Sequence, residues 1–370
     1  MKDTNTVLRP DEKYVLSLRA LFESAGYRRY RTGKFEKYDL YLENRSFLGE
    51  GDIIALSEPG GALLALRPDM TLSIVKNSRA SAQSPDRVYY TENVYRTQGS
   101  DRTIREIMQA GVELIGDVDL CAAAEVVTLA CRALAGLGTK SILEISHMGI
   151  VSAVIDMLGT DEETKKAAAG YISAKNVPAI RRLCEEKRIP AGLAHSLCSL
   201  ASLYGTFDEV LPEVRGIVGA ANEAYRELEQ LGDVLERCGF GGVTRIDFSA
   251  SNDMEYYGGI IFRGYVPGVP KAVLSGGRYD ALMTKFGKSG GAVGFAIYMD
   301  LLEHYFPDRE EADAAVLCYT ETDDAADVLS AAQKLRENGL CVKIQKSAPA
   351  DTSNLAGVYK VKGGGEYEKL

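Results

Sequence analysis

The stretch Arg87–Gly116 predicts two β-strands joined by a charged loop, because apolar and polar positions alternate along its second half. Every second residue from 108 to 114 is apolar or small, which defines one face of a strand. The other face carries Gln109, Gly111 and Glu113, which supply an amide, a bare backbone and a carboxylate. We therefore expect the first face to lie in the core, whereas the second needs its own explanation.

Two interpretations fit this polar face. An antiparallel sheet commonly exposes one side to water, and a half-solvated sheet needs no ligand. Alternatively, the face is the floor of a site for a small zwitterionic ligand, because Arg96 ends the preceding strand and adds a cation to the carboxylate of Glu113. The alternation by itself favours the half-solvated sheet.

The N-terminal part of the chain predicts one helix and then short strands. Pro10, Asp11 and Glu12 suit the first turn of a helix over residues 10–25, and Gly26 would end it. Segments rich in Tyr and Leu then predict strands at Tyr27–Tyr30, Tyr38–Tyr41, Ile53–Leu56 and Ala62–Leu66.

The motif LRPDMT, residues 66–71, interrupts the strand pattern at Pro68 and leads into a helix toward Lys76. Asp69 and Thr71 are well placed to cap that helix, and a ligand role for either is the alternative. His147 invites a catalytic interpretation. Since no Asp, Ser or Cys pattern accompanies it, we expect a structural role.

Beyond the hairpin, helical and strand signals alternate. Asp119 can cap a helix that runs through Ala135, residues 142–146 predict a strand, and a further helix ends near Gly159. Residues 161–238 lose their β-branched runs and show helical periodicity. Strand signals return in three segments, Val243–Ser249, Glu255–Val266 and KAVLSGGRYDAL. After them, Val293–Tyr305 is predicted to form an apolar helix.

These signals divide the chain into three regions. A core comprises residues 1–160 and 239–306, a helical insertion spans 161–238, and a small α/β domain spans 312–370. In the small domain the sequence predicts a strand at Ala314–Tyr319, a helix at Asp323–Asn338 and a second strand at Cys341–Gln345. A third strand is predicted near Val358–Val361. The strand–helix–strand order predicts a parallel pair. No glycine-rich turn follows the first strand, which argues against nucleotide binding there.

Composition narrows the class of protein. A chain of 370 residues with 46% hydrophobic residues can bury a full core, and no apolar run reaches the length of a membrane span. The start lacks a signal-peptide core, so we expect a cytoplasmic protein with no membrane partner. Seven scattered cysteines and only three histidines fit neither a zinc site nor a disulfide scaffold. A net charge of −9 disfavours nucleic acid as a partner.

Four motifs follow the order and approximate spacing of the histidyl-tRNA synthetase catalytic core, which residues 10–305 resemble. They are LRPDMT, the stretch Arg87–Gly116, NDMEYYGGIIF and LSGGRYDAL…GFAIYMDLL. The resemblance implies an α+β fold of the class II aminoacyl-tRNA synthetase type, with an antiparallel sheet flanked by helices. A fold of this kind usually dimerises.

The resemblance also implies a histidine-binding site. Asp69 stands where the synthetase family has Glu, and the matching positions are Thr71, Arg96, Gln109, Glu113, Tyr256 and Tyr257. The chemistry suits such a ligand without the analogy. A carboxylate can hold an ammonium, Gln and Tyr can orient an imidazole, and Arg can bind a carboxylate.

Departures from the synthetase pattern lie at its ATP-handling positions. Asn252 stands where the synthetase has a catalytic arginine, and Leu301 where it has an arginine that binds ATP phosphates. Gln98 replaces an acidic residue of the second motif, and the loop after it is one residue short. Because positioned cations stabilise the charge of a phosphoryl transition state, their loss should abolish amino-acid activation.

A synthetase-like chain that keeps the histidine pocket and loses the ATP arginines resembles the family of ATP phosphoribosyltransferase regulatory subunits. Membership would imply a non-catalytic partner of a short-form catalytic subunit in the first step of histidine biosynthesis. It would also imply L-histidine as a feedback ligand, a homodimer within a hetero-oligomer, no tRNA, and no cofactor or metal. Two rivals stay open. One is an active histidyl-tRNA synthetase with divergent motifs, and the other is a degenerate paralogue that acts on another amino acid or on a protein lysine.

Overall fold

The computed structural model describes most of the chain, and its contacts divide the described residues into two compact units. Residues 8–48, 53–80, 84–98, 103–253, 257–303, 305–306, 314–353 and 355–370 are described, with the backbone alone at 46, 98 and 251–253. One unit spans Tyr14–Tyr305, and the other contains Phe306–Leu370 and the described residues before Tyr14. No helix among the described residues is long and apolar enough to cross a membrane.

The α-helices of the described residues are α1 (Pro10–Ser24), α2 (Tyr38–Glu43), α3 (Thr71–Asn77), α4 (Leu120–Ala135), α5 (Met148–Asp156), α6 (Glu162–Ser173), α7 (Val177–Glu186), α8 (Ala191–Ser202), α9 (Phe207–Val218), α10 (Glu223–Arg237), α11 (Asp280–Lys285) and α12 (Ala325–Glu337). Short 3-10 helices span Arg45–Phe47, Phe248–Asp253 and Met299–Leu302.

The strands are β1 (Arg28–Arg29), β2 (Phe35–Lys37), β3 (Ala55–Ser57), β4 (Leu63–Leu66), β5 (Asp86–Gln98), β6 (Thr103–Gly116), β7 (Ile142–His147), β8 (Tyr204–Gly205), β9 (Thr244–Asp247), β10 (Ile260–Tyr265), β11 (Leu274–Arg278), β12 (Gly291–Tyr298), β13 (Ala314–Cys318), β14 (Cys341–Gln345), β15 (Gly357–Lys362) and β16 (Glu366–Lys369).

A nine-stranded sheet organises the larger unit of the described chain, in the order β1-β5-β6-β12-β11-β10-β7-β9-β8. Most neighbours are antiparallel, and only β1–β5 and β7–β9 run parallel. A three-stranded antiparallel sheet, β2-β4-β3, belongs to the same unit. The α+β class and the synthetase-like antiparallel sheet are thus as predicted.

The predicted hairpin Arg87–Gly116 is confirmed as β5 and β6, which pair from Asp86↔Ile115 to Gln98↔Thr103. The second, polar face of β6 was expected to be half solvated, and this is wrong for Gln109 and Glu113. Gln109 and Glu113 are only 3% and 2% exposed, as buried as their apolar neighbours. Helices α3 and α4 both contact β6, and residues 109–116 of the strand are buried.

Several predicted helices form for the expected physical reasons. Helix α1 buries Val15, Leu18 and Phe22 along one face, and Gly26 follows it with a positive φ. Helix α4 is capped by Asp119, whose side chain accepts a hydrogen bond from the Ala122 N–H. His147 has the structural role that we expected. Its Nδ1 accepts a hydrogen bond from the Gly149 N–H and caps α5.

Two element predictions are wrong. Tyr38–Tyr41 belongs to helix α2, where Tyr41 is buried and Tyr38 lies one turn before it. Most of Val293–Tyr305 is not helical either. Strand β12 ends at Tyr298, and only the 3-10 helix Met299–Leu302 follows. Its apolar run reflects burial on both faces of a central strand, and such a run cannot be distinguished from a buried helix by periodicity.

Helices α6–α10 form within the predicted insertion, and only the two-residue strand β8 interrupts them. In the smaller unit, β13 and β14 are parallel, as predicted, in a four-stranded sheet ordered β14-β13-β15-β16. Helix α12 packs its buried residues against Leu317 of this sheet. The boundaries of the three proposed regions stay a prediction.

Candidate functional site

The candidate site lies on the face of the large sheet that carries the polar side chains of β6. Glu113 is directly opposite Gly294 of β12, and Gly294 is opposite Gly277 of β11. A Cβ atom on Gly294 would overlap the Glu113 carboxylate. One on Gly277 would lie 2.7 Å from the Tyr257 ring. Gly294 and Gly277 form a glycine floor, with the Glu113 carboxylate over the first and the Tyr257 ring over the second. Since the two glycines are partners on neighbouring strands, the carboxylate and the ring lie about one strand spacing, about 5 Å, apart.

Glu113 is the most buried carboxyl group of this site. Thr71 Oγ1 donates a hydrogen bond to Glu113 Oε1 over 2.7 Å. The Tyr279 hydroxyl donates to the other carboxyl oxygen. Burial raises the pKa of Glu113 to about 8, although both hydroxyl bonds act to lower it. Without a ligand, the side chain therefore carries a proton at neutral pH.

Asp69 and Arg96 form a second polar pair beside Glu113. The Leu72 N–H donates to Asp69 Oδ1 over 2.8 Å, so Asp69 caps α3 as predicted. Arg96 lies 3.8 Å from Asp69 Oδ2 and donates from Nε to the Pro68 carbonyl over 2.6 Å. Burial raises the pKa of Asp69, while the charge of Arg96 opposes that shift. The charge of Asp69 in turn raises the pKa of Glu113, which shows that the two carboxyl groups share one environment.

Aromatic hydroxyls complete the site. A Cβ on Gly111 would lie 2.7 Å from the Tyr90 hydroxyl, which therefore covers the bare backbone between Gln109 and Glu113. Burial raises the pKa of Tyr90 well above its ordinary value, and the charge of Glu113 raises it further. Tyr298 of β12 is directly opposite Gln109. Acidic, amide, guanidinium and phenol groups thus surround a small region of the sheet, a donor and acceptor set that suits a zwitterion with a polar side chain.

Comparison with known proteins identifies the family. The family model for histidyl-tRNA synthetase matches residues 8–302. A protein of Clostridium kluyveri named ATP phosphoribosyltransferase regulatory subunit is 31% identical over 340 residues, covering 88% of this chain and 87% of the relative. The chain belongs to the ATP phosphoribosyltransferase regulatory subunit family. A member of this family from Clostridium acetobutylicum is 32% identical over 295 residues, with 77% of this chain and 72% of the relative covered.

Solved structures agree with the regulatory subunit family and its synthetase-like fold. A Bacillus halodurans protein described as an ATP phosphoribosyltransferase regulatory subunit/histidyl-tRNA synthetase superposes with a TM-score of 0.81 at 28% identity, covering 97% of this chain and 96% of that one. The histidyl-tRNA synthetase of Nostoc sp. PCC 7120 has a TM-score of 0.73 at 18% identity, covering 96% and 92%, and supports the fold alone.

The structure brings together most of the site residues predicted by resemblance to the histidyl-tRNA synthetase core. Thr71 and Glu113 are hydrogen bonded, Asp69 pairs with Arg96, Gln109 lies on the same sheet face, and Tyr257 packs over the glycine floor. Tyr256 lies outside the described residues, and the side chains of Gln98 and Asn252 are not described. Leu301 lies in the 3-10 helix after β12. A ligand role for these residues stays a prediction.

Several polar residues at the site were not predicted from the sequence, and Tyr279 and Arg67 are two of them. Tyr279 bonds Glu113 from 166 residues away along the chain, a separation that no local pattern reveals. Its place after Gly276 and Gly277 in LSGGRYDAL was the available signal. Arg67, next to Pro68, is fully buried and donates to the carbonyls of Gly33 and Asn93 over 2.9 and 2.7 Å. Nothing in the spacing of LRPDMT distinguishes it from an exposed arginine.

Proposed function

We propose that this chain is the non-catalytic regulatory subunit of an ATP phosphoribosyltransferase. In this proposal it acts with a short-form catalytic subunit in the first step of histidine biosynthesis, and its site binds L-histidine as the feedback signal. The names of its relatives support the partnership. The site supports the ligand, because it offers complements for an ammonium, a carboxylate and an imidazole.

One observation carries the proposal: Glu113 keeps its hydroxyl partners in a buried site, while Asn252 and Leu301 occupy the positions of the two synthetase ATP arginines. Burial penalises the charged form of a carboxyl group, and replacing a whole buried polar cluster by well-packed apolar side chains is often neutral or stabilising, so stability alone does not explain such a group. A site that had kept catalysis would need cations for the phosphates of ATP. Binding without activation is the function that fits both facts.

The site residues then have distinct roles in binding. Asp69 and Glu113 hold the cationic parts of the ligand, and Arg96 lies beside Asp69 to receive a carboxylate. Gln109 and Tyr257 orient the imidazole across the glycine floor. Tyr256 takes part by resemblance. Arrival of a cation beside Glu113 favours the ionised carboxylate, so binding should release a proton.

Feedback needs only that histidine binds the two states of the assembly differently. If the less active state binds histidine more tightly, histidine shifts the assembly toward that state. If histidine also weakens the binding of a substrate to the catalytic subunit, that substrate weakens histidine binding by the same factor. We propose a homodimer within a hetero-oligomer, in the cytoplasm, with no tRNA, cofactor or metal in its function.

Reconstitution tests the proposal. The purified chain is mixed with a short-form catalytic subunit, and formation of phosphoribosyl-ATP is measured with and without L-histidine. We expect the chain to stimulate the reaction and histidine to suppress the stimulated rate. A catalytic subunit that is equally active alone would contradict the partnership, and a stimulated rate that does not respond to histidine would contradict the feedback role.

The rival, an active histidyl-tRNA synthetase, has the same pocket and the same family model in its favour. Histidine-dependent exchange of pyrophosphate into ATP separates the two functions, because only a synthetase forms an adenylate. We expect no exchange. Exchange with another amino acid, or transfer to a protein lysine, would instead support a paralogue with altered specificity, for which the shorter arm of Asp69 is the motivating feature.

A further inference from the structure

Two polar atoms beside the Asp69 end of the site are buried without a hydrogen-bond partner. They are the Tyr41 hydroxyl and the Arg67 Nε, and both side chains are 0% exposed. The other guanidinium nitrogens of Arg67 are satisfied, since they donate to backbone carbonyls and to Glu92. The region therefore offers two unused donors.

Tyr41 belongs to the packed cluster that surrounds the candidate site. It lies in helix α2 and shares a buried cluster with Met70, Leu72, Tyr90 and Tyr279, while Tyr257 packs against the same cluster. Met70 and Leu72 closely follow Asp69 along the chain, and Tyr279 bonds Glu113.

Electrostatics agrees with this placement. Burial raises the pKa of Tyr41, and the charge of Asp69 is the next largest cause of the rise. The charge of Arg67 acts in the opposite direction. The hydroxyl therefore lies within electrostatic range of both Asp69 and Arg67.

A buried hydroxyl without a partner is costly. It loses its bonds to water on folding, at about 1–3 kcal/mol, whereas phenylalanine would fill the same space at no such cost. Asp69 is also one methylene shorter than the glutamate of the synthetase pattern. Two donors without an acceptor are complemented by an oxygen acceptor, and an α-amino acid presents one next to its ammonium.

We propose that the Tyr41 hydroxyl is a binding group of this site that donates a hydrogen bond to the α-carboxylate of the ligand, while Asp69 holds the neighbouring ammonium. The inference rests on the proposed function, since it assumes that the ligand is histidine. It assigns a specificity role: Tyr41 distinguishes the amino acid from amines that carry the same imidazole.

The test compares L-histidine with histamine, which keeps the amine and the imidazole but lacks the carboxylate. Affinities of the full-length protein for both ligands are measured by calorimetry, for the unaltered chain and for Tyr41→Phe. We expect Tyr41→Phe to weaken L-histidine about tenfold, as for a lost bond to a charged group, and to leave histamine unchanged. The melting temperature should be unchanged or higher, because an unsatisfied hydroxyl has been removed.

Tyr27→Phe is the matched control. Tyr27 is 2% exposed, and its hydroxyl is likewise buried, beside Glu125. It points to the other face of the sheet, because the next residue, Arg28, pairs in parallel with Val88, which lies opposite Glu113. This variant should leave both affinities unchanged.

Each outcome is informative. Equal affinities of Tyr41→Phe and the unaltered chain for L-histidine would overturn the inference, and so would an equal loss for both ligands. If the unaltered chain binds neither ligand, the proposed function fails rather than the role of Tyr41.

Discussion

Thr71 and Glu113 are joined by a hydrogen bond of 2.7 Å between a helix start and the middle of a strand. Thr71 is the first residue of α3, so its hydroxyl is free of the capping role that Asp69 fills. The bond fixes which way the Glu113 carboxyl group points, with Tyr279 on its other oxygen. Helix and sheet thus hold one binding group between them.

The first prediction concerns this bond. Thr71→Val keeps the shape of the side chain and removes the hydroxyl, so one oxygen of Glu113 loses its donor. We expect L-histidine affinity to fall about five- to tenfold, with a loss of about 1 kcal/mol in the free energy of unfolding. Calorimetry and chemical denaturation measure the two effects. Thr71→Ser, which keeps the hydroxyl, should retain most of the affinity, and an equal loss in both variants would contradict a role for the hydroxyl.

How far the sequence predicts this site depends on the range of the interactions. Alternation along residues 108–114 is a local signal, and it correctly predicts β6 and the shared face of Gln109 and Glu113. It cannot show what covers that face, because α3 and Tyr279 arrive from distant parts of the chain. The half-solvated interpretation failed for this reason.

The two wrong elements have similar causes. Helix α2 contains two tyrosines and two leucines, whose β propensity suggested a strand, but Tyr41 is buried in a tertiary cluster that overrides that preference. Strand β12 is buried on both faces between β6 and β11, so no alternation remains to be seen. Gly291 and Gly294 were the available signal, because glycine within a strand often marks a place where another group approaches the backbone closely.

The second prediction is a pH dependence that comes from Glu113. Its pKa is about 8 in the folded protein against an ordinary value of 4.5, so the native state holds more protons than the unfolded state between these pH values. Stability therefore falls as the pH rises through this window, with a slope of up to about 1.4 kcal/mol per pH unit. Chemical denaturation of the ligand-free protein and of Glu113→Gln, from pH 5 to pH 8, isolates the contribution, because Gln cannot titrate. Parallel pH profiles for the two proteins would show that Glu113 is ionised without a ligand.

The third prediction tests proton release on binding. A cationic group of histidine beside Glu113 favours its ionised form, so up to one proton should leave the protein at pH 7. Calorimetry in two buffers of different ionisation enthalpy measures this number directly. Glu113→Gln should bind L-histidine more weakly. Its proton release should be smaller by the number of protons that Glu113 loses in the unaltered protein. Equal proton release in both proteins would contradict the placement of the ligand's cation at Glu113.

The fourth prediction concerns the floor of the site. A methyl group on Gly294 would overlap the Glu113 carboxylate and the Val112 carbonyl, so Gly294→Ala must displace a strand or the carboxyl group. We expect loss of L-histidine binding and a destabilisation of about 1–3 kcal/mol. Gly170→Ala in α6 is the control, since a Cβ there meets nothing within 4 Å. It should leave binding unchanged and stabilise the helix by about 0.5–1 kcal/mol.

The fifth prediction concerns the other end of α3. Lys288 Nζ donates to the carbonyls of Val75, Lys76 and Ser78, and so satisfies the last turn of the helix whose start carries Thr71. Lys288→Met removes these donors from a half-buried place. We expect a loss of about 1–3 kcal/mol in the free energy of unfolding and weaker L-histidine binding, because the helix that positions Thr71 is less firmly held.

Lys285→Met is the comparison for this last effect, since the Lys285 ammonium donates to the single carbonyl of Glu43 and lies 4.9 Å from the centre of the Phe47 ring. It should destabilise the protein less and leave histidine affinity unchanged. Denaturation and calorimetry on the two variants separate the outcomes. If Lys288→Met lowers stability while the affinity stays constant, α3 holds Thr71 in place without its C-terminal cap, and the position of the site is set by the Glu113 bond alone.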